Sequence, residues 1–536
     1  MRLTTVRVAA PSSMTRLRAP FVFRMVGLRW RGGGGLQLRS RRDRGSWSAW
    51  AVVDSEEPAW TATARAVQIR RTGPGPVRDL AVTFIAVPPM RMPKQAGMVA
   101  HTAGMPPIIT RAGWGANESL RRAPPEVAPA LKMVFVHHTD TTNSYSCSSS
   151  AQIVRGIYAY HVLSLGWNDI GYNFLIDRCG RIFEGRYGGM TRPVVGAQTG
   201  GFNWETAGIA MIGTFNTVRP TSSALWSLER LIAWRLDVAH VNPLSTSLMT
   251  SSGNNPEYAA GHKLRLRNVS GHRDGYPTAC PGNALYPLLP AIARAAASIG
   301  LPKIYHPMIN APIRGTGPGT ADPITFHAAF SHATTWQLQV KGPLGETAGT
   351  RRGYGATVAW TWSGQAANLP PGAYHWTLTA PGARGVSMSL GSLAAWVAGG
   401  APVAYSGTTT GGNLESLLKI DGDTLDVAGA PAVLATTNAV RITEPQLAAA
   451  REVGVRFTPT TAVSDAVVQV WNYTANAWAT VGTCSVAAGH PCVAERALDV
   501  PSKGSWDASS GVVEMRARYV FQTPTRVDEA HTLMVD

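Results

Sequence analysis

The stretch Leu131-Lys-Met-Val-Phe-Val-His-His138, "LKMVFVHH", reads as a β-strand that ends in two histidines. Successive side chains of a strand point to opposite faces. Phe135 and His137 therefore share one face, while Val134, Val136 and His138 share the other. Two adjacent histidines on a regular strand cannot both enter one pocket, so only one of them is a candidate for chemistry there. Downstream, Ser149 and Gln152 have capping-box spacing, and Ile153, Ile157, Tyr160 and Leu163 continue at helical intervals. "GYNFLID" (171–177) and "RIFEG" (181–185) flank Arg178-Cys179-Gly180, a strand pair with a tight turn. "AGIAMIG" (207–213) is a buried-strand run, and "WSLERLIAWRL" (226–236) is an amphipathic helix. Strands and helices alternating in this way predict an α/β domain with a central mixed β-sheet flanked by helices, over residues 105–300.

The text on either side differs. The chain has 536 residues, which at roughly 100–200 residues per domain implies three or four domains. Beyond about Pro312 helical periodicity nearly vanishes. Runs such as "TTWQLQV" and "GAYHWTLTA" between Gly- and Pro-rich turns predict one β-sandwich over 312–395, and a similar style predicts a second over 400–536. "WSAWAVV" and "LAVTFIAV" predict a small β module with a Pro- and Met-rich linker over 47–104, anchored by Trp47 and Trp50. Residues 1–46, Arg-rich and with a run of four glycines from Gly32 to Gly35, read as a basic segment without internal order, or as one whose start lies away from the natural one.

Charge narrows the function classes. The formal net charge is +17, yet residues 1–50 alone hold 11 Arg and one Asp, so about ten of those charges lie in one terminal segment. No helix-turn-helix, zinc-finger spacing or aromatic nucleic-acid platform accompanies them, which argues against nucleic acid as the ligand, and mild attraction to an anionic cell envelope fits the charge. No run of 18 or more apolar residues predicts a membrane span. The N-terminus shows no clear signal-peptide pattern, because Arg24 interrupts its most apolar run.

The chemistry-bearing stretch is "SGHRDGYPTACPG" (270–282), in which His272 precedes Cys280 by eight residues. The chain has five cysteines, and Cys280 is the odd one beside the candidate disulfide partners Cys147, Cys179, Cys484 and Cys492, for which four Cys allow three connectivities. His nitrogen and Cys thiolate are zinc donors, and a catalytic zinc site uses three protein ligands. His272 and Cys280 supply two from one loop, and His137 at a strand end is the candidate third. Read on spacing alone, the competing account is a surface histidine and a small buried hydrophobe.

Five ordered motifs, "ITRAGWGA" (109–116), "VFVHHT" (134–139), "GWNDIGYNFLID" (166–177), "VVGAQTGGFNWETAGIAMIGTF" (194–215) and "GHRDGYPTACPG" (271–282), together resemble the peptidoglycan recognition protein family and the zinc-dependent N-acetylmuramoyl-L-alanine amidases that share its fold. The resemblance covers about residues 105–300. It implies a single catalytic Zn²⁺ held by His137, His272 and Cys280, with Tyr172 and Thr278 assisting the oxyanion, and hydrolysis of the amide between the lactyl group of N-acetylmuramic acid and L-alanine. It also implies a groove lined by Trp167, Gln198 and Asn203. The alternative within the family is a protein that binds peptidoglycan without cleaving it. Asn173 and Gln198 stand where many members have His, which puts stem-peptide preference in doubt. Asp274 and Arg273 are candidates to orient His272, and His138, His161 and His262 read as structural.

Cys147 with Cys179, and Cys484 with Cys492, are the favoured disulfide pairs, and either requires an oxidising compartment. An extracellular or wall-associated protein follows, with peptidoglycan as partner, anionic wall polymers as a further candidate, and neither nucleic acid nor a membrane span. Residues 342–380 weakly resemble the Ig-like domain of flagellar hook-scaffolding proteins, which implies Ig-like folds for the C-terminal β domains.

Overall fold

The computed structural model describes the chain apart from residues 10–13, 43, 54–56, 91–97, 100–103, 318–319, 344, 365–368, 370–371, 394–395, 419–423, 442–451, 473–474, 497–505, 508–511 and 536. It separates into two compact units, the first made chiefly of residues 1–306 and the second of most of the remainder. Much of the expected linker before Gly104 lies outside the described residues.

The first unit opens on a six-stranded antiparallel sheet, and here the sequence expectation fails. The described residues of 1–46, expected to lack internal order, are largely strand. They form β1 (Arg2–Arg7), β2 (Met14–Arg31) and β3 (Gly35–Arg41), which pair with β4 (Ala51–Val53), β5 (Ala59–Thr72) and β6 (Arg78–Ala86) in the order β1-β6-β2-β5-β3-β4. The expected segments 1–46 and 47–104 thus contribute strands to one sheet. The reason is a period of two hidden by arginine. In "GLQLRSR" the leucines at 36 and 38 are buried while Gln37, Arg39 and Arg41 lie on the other face. That outer face is cationic: Arg16, Gln68 and Arg39 are cross-strand partners, and the Arg39 guanidinium packs over Trp47 and Trp50 with ring-centroid distances of 5.3 and 4.6 Å. Trp47 and Trp50 therefore cover arginines rather than anchor a core.

The expected α/β domain follows. Its seven-stranded sheet is built from β7 (Met98–Val99), β8 (Ile108–Ile109), β9 (Met133–His138), β10 (Phe174–Ile176), β11 (Ile182–Glu184), β12 (Thr206–Met211) and a late strand at Val269–Gly271, in the order 269–271, β9, β12, β10, β11, β8, β7. The β9–β12 and β10–β12 pairs are parallel and the β10–β11 pair antiparallel, so the sheet is mixed. Every residue of β9 and β12 is buried, as expected of central parallel strands covered on both faces.

Helices cover those faces. The first, α1, is a single turn (Arg111–Trp114), and α2 is Ser150–Leu163. On the other side lie α3 (Ser222–Val238) and α4 (Leu289–Ser298), whose Leu228, Leu231, Trp234 and Ile292 pack with Val134, Val136, Ile209 and Met211. The capping box expected at Ser149 does not form. Ser149 is the N-cap without a side-chain bond, because Gln152 is turned away to donate to the Val87 carbonyl.

That bond is one of several joining the two sheets. Ile153, Ile157, Tyr158 and Tyr160 of α2 pack in one apolar cluster with Met25, Trp60, Ile85 and Val87 of the N-terminal sheet. The backbone N–H of Trp60 donates to Thr141 Oγ1 at 2.8 Å, and Arg155 donates to the Pro88 carbonyl at 2.8 Å. Gly27 is required at the contact, since a Cβ there would lie 2.0 Å from the Tyr160 ring.

The second unit is built almost wholly of strands, including Ile324–Lys341, Thr347–Trp362, Gly372–Thr379 and Val386–Leu393 in one sheet and an eleven-stranded sheet between residues 396 and 535. Trp376 is fully buried against Phe326, the core role expected for such tryptophans. Among the described residues no helix is long and apolar enough to cross a membrane.

Candidate active site

Strand alternation decides which histidine enters the site. Val134 and Val136 face the α3–α4 layer, whereas Met133 and Phe135 pack with Phe202 and Met249 on the opposite face. His137 belongs to the Phe135 side and His138 to the other. At the strand end His137 meets the loop after Val269–Gly271, and its ring lies 4.5 Å from that of His272. The ligand atoms of His137, His272 and Cys280 all lie within 4.8 Å of one another. His138 instead accepts the Phe215 N–H at Nδ1 and gives its own backbone N–H to Cys280 Sγ at 3.3 Å.

These three donors suit a zinc ion. Bond lengths of about 2.0–2.1 Å to nitrogen and 2.3 Å to sulfur put the donors of a tetrahedral site about 3.4–3.6 Å apart. Cys280 Sγ is 3.8 Å from His137 Nδ1. His137 Nε2 is buried without a hydrogen-bond partner among the described residues, which leaves its ring free of competing polar attachments on that side. Burial, reinforced by His272 and His138, pushes His137 well below the usual imidazole range, and burial followed by the influence of His138 brings His272 down to about 3. Both rings are therefore neutral at pH 7, the form that offers a lone pair.

A cavity of about 230 Å³ opens beside the cluster, lined among others by His272, Cys280, Tyr172, Thr278, Trp167 and Gln198. Tyr172 is almost buried and its ring lies 5.2 Å from His137. Thr278 Oγ1 accepts the Cys280 N–H at 3.2 Å, so its own proton remains to be donated. Trp167 packs on His161 at 4.5 Å.

Other expected residues fall elsewhere. Asn203 is not in the cavity lining; its Oδ1 accepts the N–H groups of Gln198 and Thr199 and shapes that loop. Asn173 bridges Val194 O and the Gly208 N–H, a bond set that ties β10 to its surroundings rather than to a ligand. Asp274 accepts from Gly271 N, Tyr286 and Arg267, and Arg273 donates to Ala279, Cys280 and Asn283, so both brace the ligand loop without touching the His272 ring. Cys147 is bonded to Cys179 and Cys484 to Cys492, so Cys280 stands outside the disulfides.

Two residues went unrecognised in the sequence. Glu57 lines the cavity from the N-terminal sheet, and fully buried His161, read as merely structural, hydrogen-bonds to it. Neither lies in a motif with a readable spacing.

Comparison with known proteins agrees with this geometry. The N-acetylmuramoyl-L-alanine amidase family (Amidase_2) matches residues 127–283. The chain is 31% identical over 160 residues to a peptidoglycan recognition protein of Trichoplusia ni, covering 30% of this chain and 74% of that protein. It is 37% identical over 135 residues to peptidoglycan-recognition protein LE of Drosophila melanogaster, covering 25% and 38%. It is 30% identical over 191 residues to a human N-acetylmuramoyl-L-alanine amidase, covering 35% and 28%. The chain thus spans well under half the length of the last two relatives. By these matches and by the site itself, the chain belongs to the family of peptidoglycan recognition proteins and N-acetylmuramoyl-L-alanine amidases.

Proposed function

We propose that this protein is a zinc-dependent N-acetylmuramoyl-L-alanine amidase acting on peptidoglycan outside the cytoplasm. The observation that carries the reading is the convergence of His137, His272 and Cys280 beside a cavity whose lining includes His272, Cys280, Tyr172 and Thr278. A recognition protein has no need of a thiolate there.

When bound, zinc supplies a Lewis acid for the amide carbonyl and lowers the pKa of water toward 7. The chain's own residues do the remainder. Thr278 directs its free proton at the carbonyl oxygen, where negative charge develops; one such donor is typically worth about 10²–10³ in rate. Trp167 and Gln198 bound the cavity and orient the muramyl-peptide. The backbone N–H of His138 donates to Cys280 Sγ at 3.3 Å and helps to fix the sulfur in place. The two disulfides support an oxidising compartment. The strands of 312–395 and 400–536 suit Ig-like modules that keep the enzyme on glycan or on anionic wall polymer.

The test is incubation of the full chain with polymeric peptidoglycan, with and without a zinc chelator, with products read by mass spectrometry. Stem peptides beginning with L-alanine are expected, and chelation abolishes them. Cys280→Ser lowers both zinc content and product release by at least about a hundredfold, because one of three metal ligands is weakened. Retention on peptidoglycan with no product, at full zinc occupancy, would establish the binding-only alternative.

A further inference from the structure

Glu57 stands 70 residues ahead of the segment that matches the amidase family, directly before Pro58 and strand β5 of the N-terminal sheet. It is only 8% exposed and forms part of the wall of the same cavity as His272, Cys280 and Thr278. The Tyr172 hydroxyl lies 2.5 Å from its Oε1, within the range of a charge-assisted O–H···O⁻ bond. His161 Nε2 approaches the same oxygen at 3.3 Å.

The protons can be placed from the surrounding network. Gly171 N–H donates to His161 Nδ1 at 3.0 Å, so that nitrogen is an acceptor and the neutral ring carries its proton on Nε2, facing Glu57. Two donors thus converge on one carboxylate oxygen. A buried carboxylate is tolerated only when hydrogen-bonded in this manner. These two donors belong to the α/β domain, and Tyr172 lies against the ring of His137.

We propose that Glu57 is a positioning residue of the active site, so that the N-terminal sheet is part of the enzyme's working centre and not an appended module. This rests on the amidase reading above. The carboxylate fixes the Tyr172 ring beside the donor cluster by taking its only proton. The phenol oxygen then presents lone pairs to the cavity, so Tyr172 meets water or substrate as an acceptor. The role of oxyanion donor that the family resemblance implied for it passes to Thr278. His161 holds the carboxylate from the other side and is itself held by Gly171, one residue before Tyr172.

The test uses the full chain carrying Glu57→Ala, Glu57→Asp or Glu57→Gln, the last nearly isosteric should the alanine variant fold poorly. Three quantities are read: zinc content, steady-state kinetics on a soluble muramyl-peptide, and the ¹³Cζ resonance of Tyr172 in metal-free protein with labelled tyrosine, assigned by its loss in Tyr172→Phe. Zinc content is expected to stay at the wild-type level. Glu57→Ala should lower kcat about 10- to 100-fold, the usual cost of removing a partner that orients a site residue. KM should move by less than about threefold, since the bound ground state is little affected. The Tyr172 resonance should shift in Glu57→Ala and lie closer to wild type in Glu57→Gln, which still accepts a hydrogen bond. An unmoved resonance would overturn the proposal, as would unchanged kcat. So would raised kcat, which would mean that Glu57 blocks the site. A wild-type chain that binds no zinc and releases no peptide defeats the amidase reading instead, and the resonance arm still decides whether Glu57 holds Tyr172.

Discussion

Arg111, in the motif "ITRAGWGA", shows how a single residue sets the geometry near the site. Its side chain is 4% exposed, with Nε 2.8 Å from Glu118 and Nη1 3.2 Å from Asp169, itself 6% exposed. Asp169 also accepts the N–H groups of Ile170 and Tyr187, which fixes the loop leading into Tyr172. Removing one partner of a buried ion pair leaves the other charge uncompensated and costs about 3–5 kcal/mol. Arg111→Ala is therefore expected to lower the unfolding free energy by that amount, measured by denaturant titration. A loss below 1 kcal/mol would show that solvent reaches Asp169 on its own. Of the residues around the site, His272 and Cys280 were legible as a pair in one loop and His137 as a histidine at a strand end, whereas the roles of Tyr172 and Thr278 came only with the resemblance carried by the five ordered motifs. Glu57 was not legible, since a carboxylate before a proline carries no mark of the phenol it will meet 115 residues later.

Between elements, the decisive contact is that of β2 with α2. Gly27 lets the Tyr160 ring approach the strand backbone closely, and Met25 packs against Gly156. A methyl group at Gly27 would collide with a ring that cannot bend away. Overpacking of this kind costs about 1–3 kcal/mol. Gly27→Ala should loosen the N-terminal sheet, read as faster hydrogen exchange in β2 and β5, and should lower kcat in the same sense as Glu57→Ala because Glu57 leads into β5. Unchanged exchange in these strands would refute the contact's importance. The Cys147–Cys179 bond works at the same scale, tying the start of α2 to the turn between β10 and β11. A closed loop of 32 residues restricts the unfolded chain by about 3–4 kcal/mol.

For the whole first unit, the expected consequence is that the α/β domain is less stable without the N-terminal sheet. Met25, Trp60, Ile85 and Val87 complete an apolar cluster whose other members lie on α2 and on the central sheet. A fragment of residues 105–300 would expose that surface. It is expected to bind a hydrophobic dye and to melt roughly 5 °C or more below the first unit with its N-terminal sheet, since a deficit of about 1 kcal/mol shifts Tm by about 2–4 °C in a domain of this size. It should still take up zinc, because all three donors lie within it, yet turn over no faster than Glu57→Ala. Equal melting temperatures would show that the cluster closes without the sheet.

The sequence by itself determined the mixed α/β sheet and put two candidate metal donors in one loop, while it left three connectivities open for the other four cysteines. Buried parallel strands, amphipathic helices and loop motifs are local patterns, and the donors His272 and Cys280 share one loop. The tertiary structure alone decided that the arginine-rich opening is a sheet. There, charged side chains on one face masked the apolar period of the other, and only cross-strand pairing, as of Arg39 with Gln68, gives those charges a surface to occupy. It alone also decided that this sheet meets α2 and brings a carboxylate to Tyr172, because that meeting depends on the fit of Gly27 to Tyr160 and of Met25 to Gly156, shapes that no periodicity along the chain records.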